Sequence, residues 1–319
     1  MDAWYFTEMP YPHIPPHDEI EAMRVSLPNA EFDPVLGGQL YNRYLDEYML
    51  ADELGLEIMV NEHHSTATSL TASANVILSI LARITKRARL LVLGVPVANR
   101  PDPIRVAEEM AMIDVISGGR LELGMIKGVP YEIAPANSNP VGLMERYWEA
   151  HDLIVKALAT HDGPFNFEGK YFHHRSVNIW PRAFQKPHPP IMIGGGGEKR
   201  TLKIAAKYAD AWNVPFISPE AFAQKRAVLH EHCESIGRNP AELACAVNLG
   251  IAWTEESLRS QFGGLTEQVR PGVLTGSDEQ VIDRIGQYVS AGADQVNLAL
   301  RAPINVDDIE RFAATFHLS

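Results

Sequence analysis

Strand-like and helix-like segments alternate along the whole 319-residue chain, and this alternation restricts the fold more than any other feature. Short apolar runs near 2–6, 56–61, 90–95, 120–126, 190–194, 211–214, 243–253 and 294–300 predict strands. Segments with apolar residues three and four apart near 40–54, 72–85, 103–116, 144–159, 198–209, 218–236, 277–290 and 305–316 predict helices. Local signals agree. Asp102-Pro103 places a capping side chain before a first-position proline, and Val106, Met110 and Ile113 then share one face. Gly55 and the Gly118-Gly119 pair stop the helices that precede them. Eight strand–helix pairs in this order predict an α/β fold: a single (β/α)8 TIM barrel with long loops and insertions, with residues 1–319 as one domain.

Three segments are too long for ordinary connections. Residues 7–39 follow the first strand and residues 255–276 the seventh, so both leave the C-terminal face, where barrel active sites form. The first carries Tyr11, His13, His17, Phe32 and several prolines, which suit either a semi-rigid apolar wall or a plain covering loop. Residues 161–188 precede the fifth strand and belong near the opposite face. His173-His174-Arg175 and Trp180-Pro181-Arg182 there read as surface structure or a subunit contact.

The net charge of −12 argues against nucleic acid or an anionic membrane as partner. Cys233 and Cys245 fit neither a disulfide framework nor a zinc spacing, and the first residues lack a signal-peptide pattern, so a cytoplasmic location is expected. No apolar run reaches the roughly 18 residues a membrane span requires.

The chemistry-bearing candidates sit at strand ends. Ile191-Met-Ile is followed by Gly194, Gly195, Gly196 and Gly197, then by Glu198-Lys-Arg-Thr201 and a helical pattern. Glycines allow close backbone approach, and the first N–H groups of a helix lack internal partners, so this turn suits a phosphate; a plain βα turn is the simpler reading. Lys127, just past the fourth strand, either pairs with that phosphate or is merely solvated. Gly94-Val-Pro96-Val97 ends the third strand as a small, stiff bulge against which a flat ring can rest. In Asn61-Glu62-His63-His64, strand alternation turns Glu57, Met59, Asn61 and His63 inward and Leu56, Ile58 and Val60 outward. His63 is therefore the better placed for proton transfer. A metal site on Glu62, His63 and His64 competes weakly, since adjacent strand residues do not converge. A structural histidine pair is the third reading. No Gly-x-Gly-x-x-Gly, Walker or nucleophile-elbow pattern occurs.

Taken together, Glu62-His63-His64, Asp102-Pro103-Ile-Arg105-Val-Ala-Glu108, Asp114-Val-Ile-Ser117-Gly-Gly119-Arg120, Gly124-Met-Ile-Lys127-Gly128 and the glycine turn with Ala205-Ala206-Lys-Tyr208-Ala-Asp210 resemble the bacterial luciferase-like monooxygenase family. The resemblance covers nearly the whole chain. It implies a barrel that binds a flavin-type cofactor at its C-terminal face and uses reduced FMN and O2 to oxidise a small organic substrate. A separate NAD(P)H:flavin reductase would supply the FMN. Carried over, His63 matches the active-site histidine. Pro96 and Val97 match the bulge under the flavin ring. Lys127 matches a phosphate ligand that is arginine in the luciferase pattern. Gly195, Gly196, Gly197, Glu198 and Thr201 fall on the phosphate turn. Ile126 stands where luciferases carry a cysteine near the flavin, so aldehyde luminescence is not implied.

The glycine turn and Tyr208-Ala-Asp210 also resemble the branch that uses the deazaflavin F420 for hydride transfer, whereas Glu62-His63-His64 and Trp180-Pro181-Arg182 resemble the FMN branch more closely. A non-catalytic flavin-binding protein on the same barrel is a further reading. The expected assembly is a homodimer, with no metal.

Overall fold

A computed structural model describes residues 1–15, 25–262, 270–300 and 306–318. The strands are β1 (Asp2–Thr7), β2 (Glu57–Val60), β3 (Leu90–Pro96), β4 (Leu121–Ile126), β5 (Phe165–Glu168), β6 (His173–Val177), β7 (Ile191–Gly194), β8 (Ala211–Pro215), β9 (Ala244–Ala252), β10 (Val273–Thr275) and β11 (Gln295–Leu300). The α-helices are α1 (Pro34–Glu53), α2 (Ala74–Ile84), α3 (Pro103–Ser117), α4 (Pro130–Ile133), α5 (Leu143–Ala159), α6 (Thr201–Tyr208), α7 (Pro219–Ser235), α8 (Glu255–Phe262), α9 (Asp278–Ser290) and α10 (Val306–Leu318).

Strands pair in the order β11-β1-β2-β3-β4-β7-β8-β9, and β9 returns to β11, so eight parallel strands close a (β/α)8 barrel. β10 is an extra strand on the far half of β9 (Val273↔Gly250). The eight expected strands are all present. Side-chain alternation explains the two cores. Trp4, Phe6, Met59, Leu91, Met192, Ala211, Ala246 and Ala299 fill the barrel, while Leu56, Ile58 and Val60 join the layer between strands and helices.

Helix ends follow local chemistry. Asp33 and Asp102 each accept from the second and third backbone N–H groups beyond them, before prolines at the first helical position. Gly118 ends α3 in the left-handed conformation.

The long segments carry structure of their own. β5 and β6 form an antiparallel hairpin within 161–188. The end of that segment docks on the N-terminal side: Gln185 Nε2 donates to Leu121 O at 2.7 Å and to Asp114 Oδ1 at 2.8 Å. The long connection at 255–276 holds α8 and β10, and its residues 263–269 lie outside the described residues. The N-terminal end of the barrel is plugged by Arg89, whose guanidinium lies 4.8 Å from the Trp4 ring and pairs with Asp2, with Glu57 at 3.1 Å and with Glu122 at 3.1 Å. Burial pushes the Glu122 carboxyl up to about 7.

Candidate active site

Asn61-Glu62-His63-His64 leaves the C-terminal end of β2, and alternation turns Glu62 and His63 to opposite sides. Glu62 is fully buried and points outward. One of its oxygens accepts the Ala74 N–H at 3.0 Å, at the start of α2, where the cap residue Ser73 gives no side-chain bond. A carboxylate there complements the helix dipole. The other oxygen accepts from Arg100 Nη2 at 2.5 Å and from His64 Nε2 at 3.1 Å. The hydrogen bond to Glu62 raises the His64 pKa above its ordinary value, against the opposing pull of burial.

His63 turns the other way. Its Nδ1 lies 3.1 Å from Glu132 Oε1 and 3.2 Å from the Tyr131 hydroxyl. Both residues belong to α4, the single turn after β4. The same Glu132 oxygen accepts the His64 N–H at 3.0 Å, and the other accepts the Val129 N–H at 3.4 Å. Burial pushes the Glu132 carboxyl up, but the bonds from His63, the His64 amide and Val129 outweigh it and leave the pKa lowered. An ionised, buried Glu132 thus holds Nδ1–H, and Nε2 has no partner among the described residues. That is the geometry of a general acid or base whose tautomer is fixed by a carboxylate. His63 pairs with Glu132 and His64 with Glu62, so Glu62, His63 and His64 do not converge on a common point.

A cavity of about 370 Å³ adjoins Glu132 and is lined by His64, Pro96, Asn99 and Arg100 among others, with His63 outside its lining. A second, of about 410 Å³, shares Ser65 with it and is walled by Tyr11, Ile14, Leu27, Phe32, Thr66 and Leu70. The loop after β1 therefore does form an apolar wall, pinned where Tyr11 N donates to Ala67 O at 2.8 Å. His17 lies outside the described residues.

The bulge expected within Gly94-Val-Pro96-Val97 is present and centres on Gly94, where the register with β4 shifts between Leu93 and Val95. Glycine is needed here: a Cβ on Gly94 would lie 2.7 Å from Gly124 O, and one on Gly124 would lie 2.4 Å from Val92 O. Pro96, level with Ile126, stays at the mouth and lines the first cavity. The Val97 side chain does not reach the cleft; it begins a short 3-10 turn (Val97–Asn99) and is buried between strands and helices.

Lys127 is exposed, one residue past β4, and among the described residues makes no ion pair. β4 and β7 align Gly124 with Met192, and continuing that register brings Lys127 level with Gly195. The helix after the glycine turn starts at Thr201, later than the expected Glu198. Gly195 has φ +123°, and a Cβ on Gly197 would lie 3.0 Å from Thr201 Oγ1, so the threonine hydroxyl borders the turn. Glu198 instead turns its carboxylate to Lys225 Nζ at 3.2 Å. The glycine turn, Lys127, Pro96 and His63 thus all lie on the C-terminal face.

Sequence reasoning missed Tyr131, Glu132, Arg100 and Lys225. Pro130 at the head of a short helix right after Lys127-Gly128 was the one available signal for the first two. Nothing local marks Lys225, twenty-seven residues beyond Glu198.

A closed parallel barrel with a glycine turn and a carboxylate-anchored histidine at the same mouth has the architecture of a (β/α)8 enzyme whose site lies on the C-terminal face. The chain belongs to the luciferase-like monooxygenase family, whose profile matches residues 23–262. It is 32% identical over 161 residues to the oxygenase component of the flavin-dependent trigonelline monooxygenase of Acinetobacter baylyi, covering 49% of this chain and 43% of that one. It is 23% identical over 251 residues to the FMNH2-dependent dimethylsulfone monooxygenase of Pseudomonas putida, covering 76% and 66%. An uncharacterised protein of Sinorhizobium fredii is 33% identical over 194 residues, covering 59% and 55%, so the matches span about half the length of the first of these relatives. In fold, the chain resembles the monooxygenase RslO1 of Streptomyces bottropensis (TM-score 0.77, 19% identity, covering 99% of this chain and 97% of that one). It also resembles an F420-dependent secondary alcohol dehydrogenase (TM-score 0.74, 18% identity, covering 86% and 93%). Among the described residues, no helix is long and apolar enough to cross a membrane.

Proposed function

We propose that this chain is the oxygenase of a two-component system: it takes reduced FMN from a separate NAD(P)H:flavin reductase and uses O2 to oxidise a small organic substrate. The observation that carries the reading is the glycine turn after β7 on the same barrel face as the Glu132-anchored His63. Relatives that are FMNH2-dependent or flavin-dependent monooxygenases support the cofactor choice.

The residues fit a phosphorylated flavin. The N–H groups of Gly196 and Gly197, the Thr201 hydroxyl and the Lys127 ammonium would hold the phosphate. Gly94 and Pro96 would support the ring. Reduced FMN, when bound, supplies the electrons that activate O2. The chain's own part is to orient that ring and the substrate, to exclude water, and to give or take a proton at His63 Nε2. Tyr11, Ile14 and Phe32 supply an apolar wall suited to a small organic molecule. We further propose a single-domain cytoplasmic homodimer. Exposed Val76 and Ile80 on α2 and Met112, Val115 and Ile116 on α3 supply an apolar face for the second copy.

The test is substrate-dependent O2 uptake with an unrelated NAD(P)H:FMN reductase supplying reduced flavin. Tight F420 binding with hydride exchange under anaerobic conditions, and no FMN binding, would move the chain to the F420 branch. Flavin binding with no turnover of any substrate panel would favour the binding-only reading.

A further inference from the structure

In the turn between β7 and α6 the Gly197 carbonyl accepts the Leu202 N–H at 3.0 Å, and three other carbonyls are held from the side of β8 and α7. Trp212 Nε1 donates to Gly195 O at 2.8 Å, Lys225 Nζ to Gly196 O at 2.9 Å, and His232 Nε2 to Glu198 O at 2.9 Å. One donor comes from β8 and two from α7. These peptides are trans. In a trans peptide the C=O and the following N–H point in opposite directions. Drawing three carbonyls toward β8 and α7 therefore turns the N–H groups of Gly196, Gly197 and Lys199 the other way. The other neighbour of β7 is β4, and Lys127 follows β4 directly. The sheet ladder ends one residue earlier, where the Gly195 N–H donates to Asn213 O at 2.8 Å. The outward-turned N–H groups thus begin where the strand's own pairing stops. Glu198 is drawn to Lys225 as well, which places its negative charge on the side of the carbonyls.

We infer that Trp212, Lys225 and His232 are positioning residues that preset this turn as a nest for a phosphate monoester, acting through three peptide planes without touching the anion. The inference rests on the reading of the turn as the cofactor's phosphate site. Its physical content is preorganisation. Gly195, Gly196 and Gly197 have wide backbone freedom, so an unclamped Gly196–Gly197 peptide flips readily and its N–H leaves the nest. Lys225 is suited to the clamp because its ammonium is mostly buried, with 23% of the side chain exposed, between the carbonyl and the Glu198 carboxylate.

The experiment compares dissociation constants for oxidised FMN and riboflavin, which differ by the phosphate, by fluorescence quenching. The wild type is expected to favour FMN by at least about tenfold. Lys225→Met should shrink that ratio at least about fivefold with riboflavin binding unchanged, and Lys225→Arg, which keeps a donor, should restore most of it. His232→Leu should shrink the ratio and His232→Gln should retain it, which separates loss of a clamp from loss of the Lys225 charge. Titration with inorganic phosphate should move the Gly196 and Gly197 amide signals in the wild type and move them less in Lys225→Met. An unchanged FMN-to-riboflavin ratio in both Lys225→Met and His232→Leu overturns the clamp while leaving the cofactor reading intact. Equal weakening of both ligands makes the residues merely structural and overturns it too. A wild type that does not distinguish FMN from riboflavin removes the phosphate site itself, and the inference with it.

Discussion

Gly195→Ala probes the glycine turn most directly, because its cost has two separable parts. The first is backbone strain. Gly195 has φ +123°, and a non-glycine residue held in such a region costs about 1–3 kcal/mol. The second is the surroundings. The new Cβ would lie 3.2 Å from Thr201 Cγ2. Rotating the backbone away forfeits the bond from Gly195 N–H to Asn213 O and that from Trp212 Nε1 to Gly195 O, each worth about 1 kcal/mol. Either route costs about 2 kcal/mol, which lowers the melting temperature by roughly 3 °C in a domain of this size. If the turn holds a phosphate, FMN affinity should also fall, by about tenfold or roughly 1.4 kcal/mol, and riboflavin affinity should change less. Gly163 supplies the control. Its φ is +129°, and a Cβ there meets nothing within 4 Å. Gly163→Ala should therefore cost stability through strain alone and leave both ligands unaffected. Thermal melts and the two titrations on both variants decide the matter. A folded Gly195→Ala protein that binds FMN as tightly as the wild type refutes the reasoning, as does a Gly163→Ala protein that loses FMN.

Other substitutions test neighbouring claims. His63→Ala should keep the melting temperature within a few degrees yet lower turnover about 10²-fold or more, whereas loss of activity confined to His64→Ala would transfer the role to His64. Lys127→Ala should weaken FMN, as measured by titration, and spare riboflavin; equal loss would assign the lysine to the ring or to folding. The His64–Glu62 bond is pH-dependent: with the folded-state pKa raised, its stabilisation is full below the ordinary value of 6.5 and is lost as pH rises through the raised value. His64→Gln should accordingly lose more melting temperature, relative to wild type, at pH 6 than at pH 9. Glu132 is opposite in sign: its pKa is lowered, so its contribution is present above 4.5 and is lost as pH falls through the lowered value. Glu132→Gln should differ from wild type more at pH 7 than at pH 3. Finally, the purified chain with FMN alone should oxidise no NAD(P)H, as followed by absorbance.

The fold was legible because the two side-chain periods encode it directly. Alternation along residues 56–60 separates Met59 in the barrel from Ile58 and Val60 outside it, and the structure has that division. The glycine run announces its turn because only glycine tolerates the backbone at Gly195. The anchors of the site were hidden for a different reason. Glu132 meets His63 across sixty-nine residues of sequence, and Lys225 meets Gly196 across twenty-nine. Such contacts are set by the curvature of the barrel and the placement of helices, which leave no periodic trace. Within the expected Gly94–Val97 bulge, the close approach to Gly124 decides that the ladder slips at Gly94.

The Arg89 plug has a consequence for traffic. Ionic contacts to Asp2, Glu57 and Glu122 stop up the N-terminal end of the barrel, so on the proposed function both ligands would enter from the C-terminal face. A vessel with one doorway imposes an order on its visitors: what sits deepest enters first and leaves last. On the proposed function, a flavin between the glycine turn and the β3 bulge and a small substrate behind the Tyr11–Phe32 wall would share that entrance. Their sequence of arrival and departure is then a property of the barrel's architecture, and steady-state kinetics in which neither ligand obstructs the other would be foreign to it.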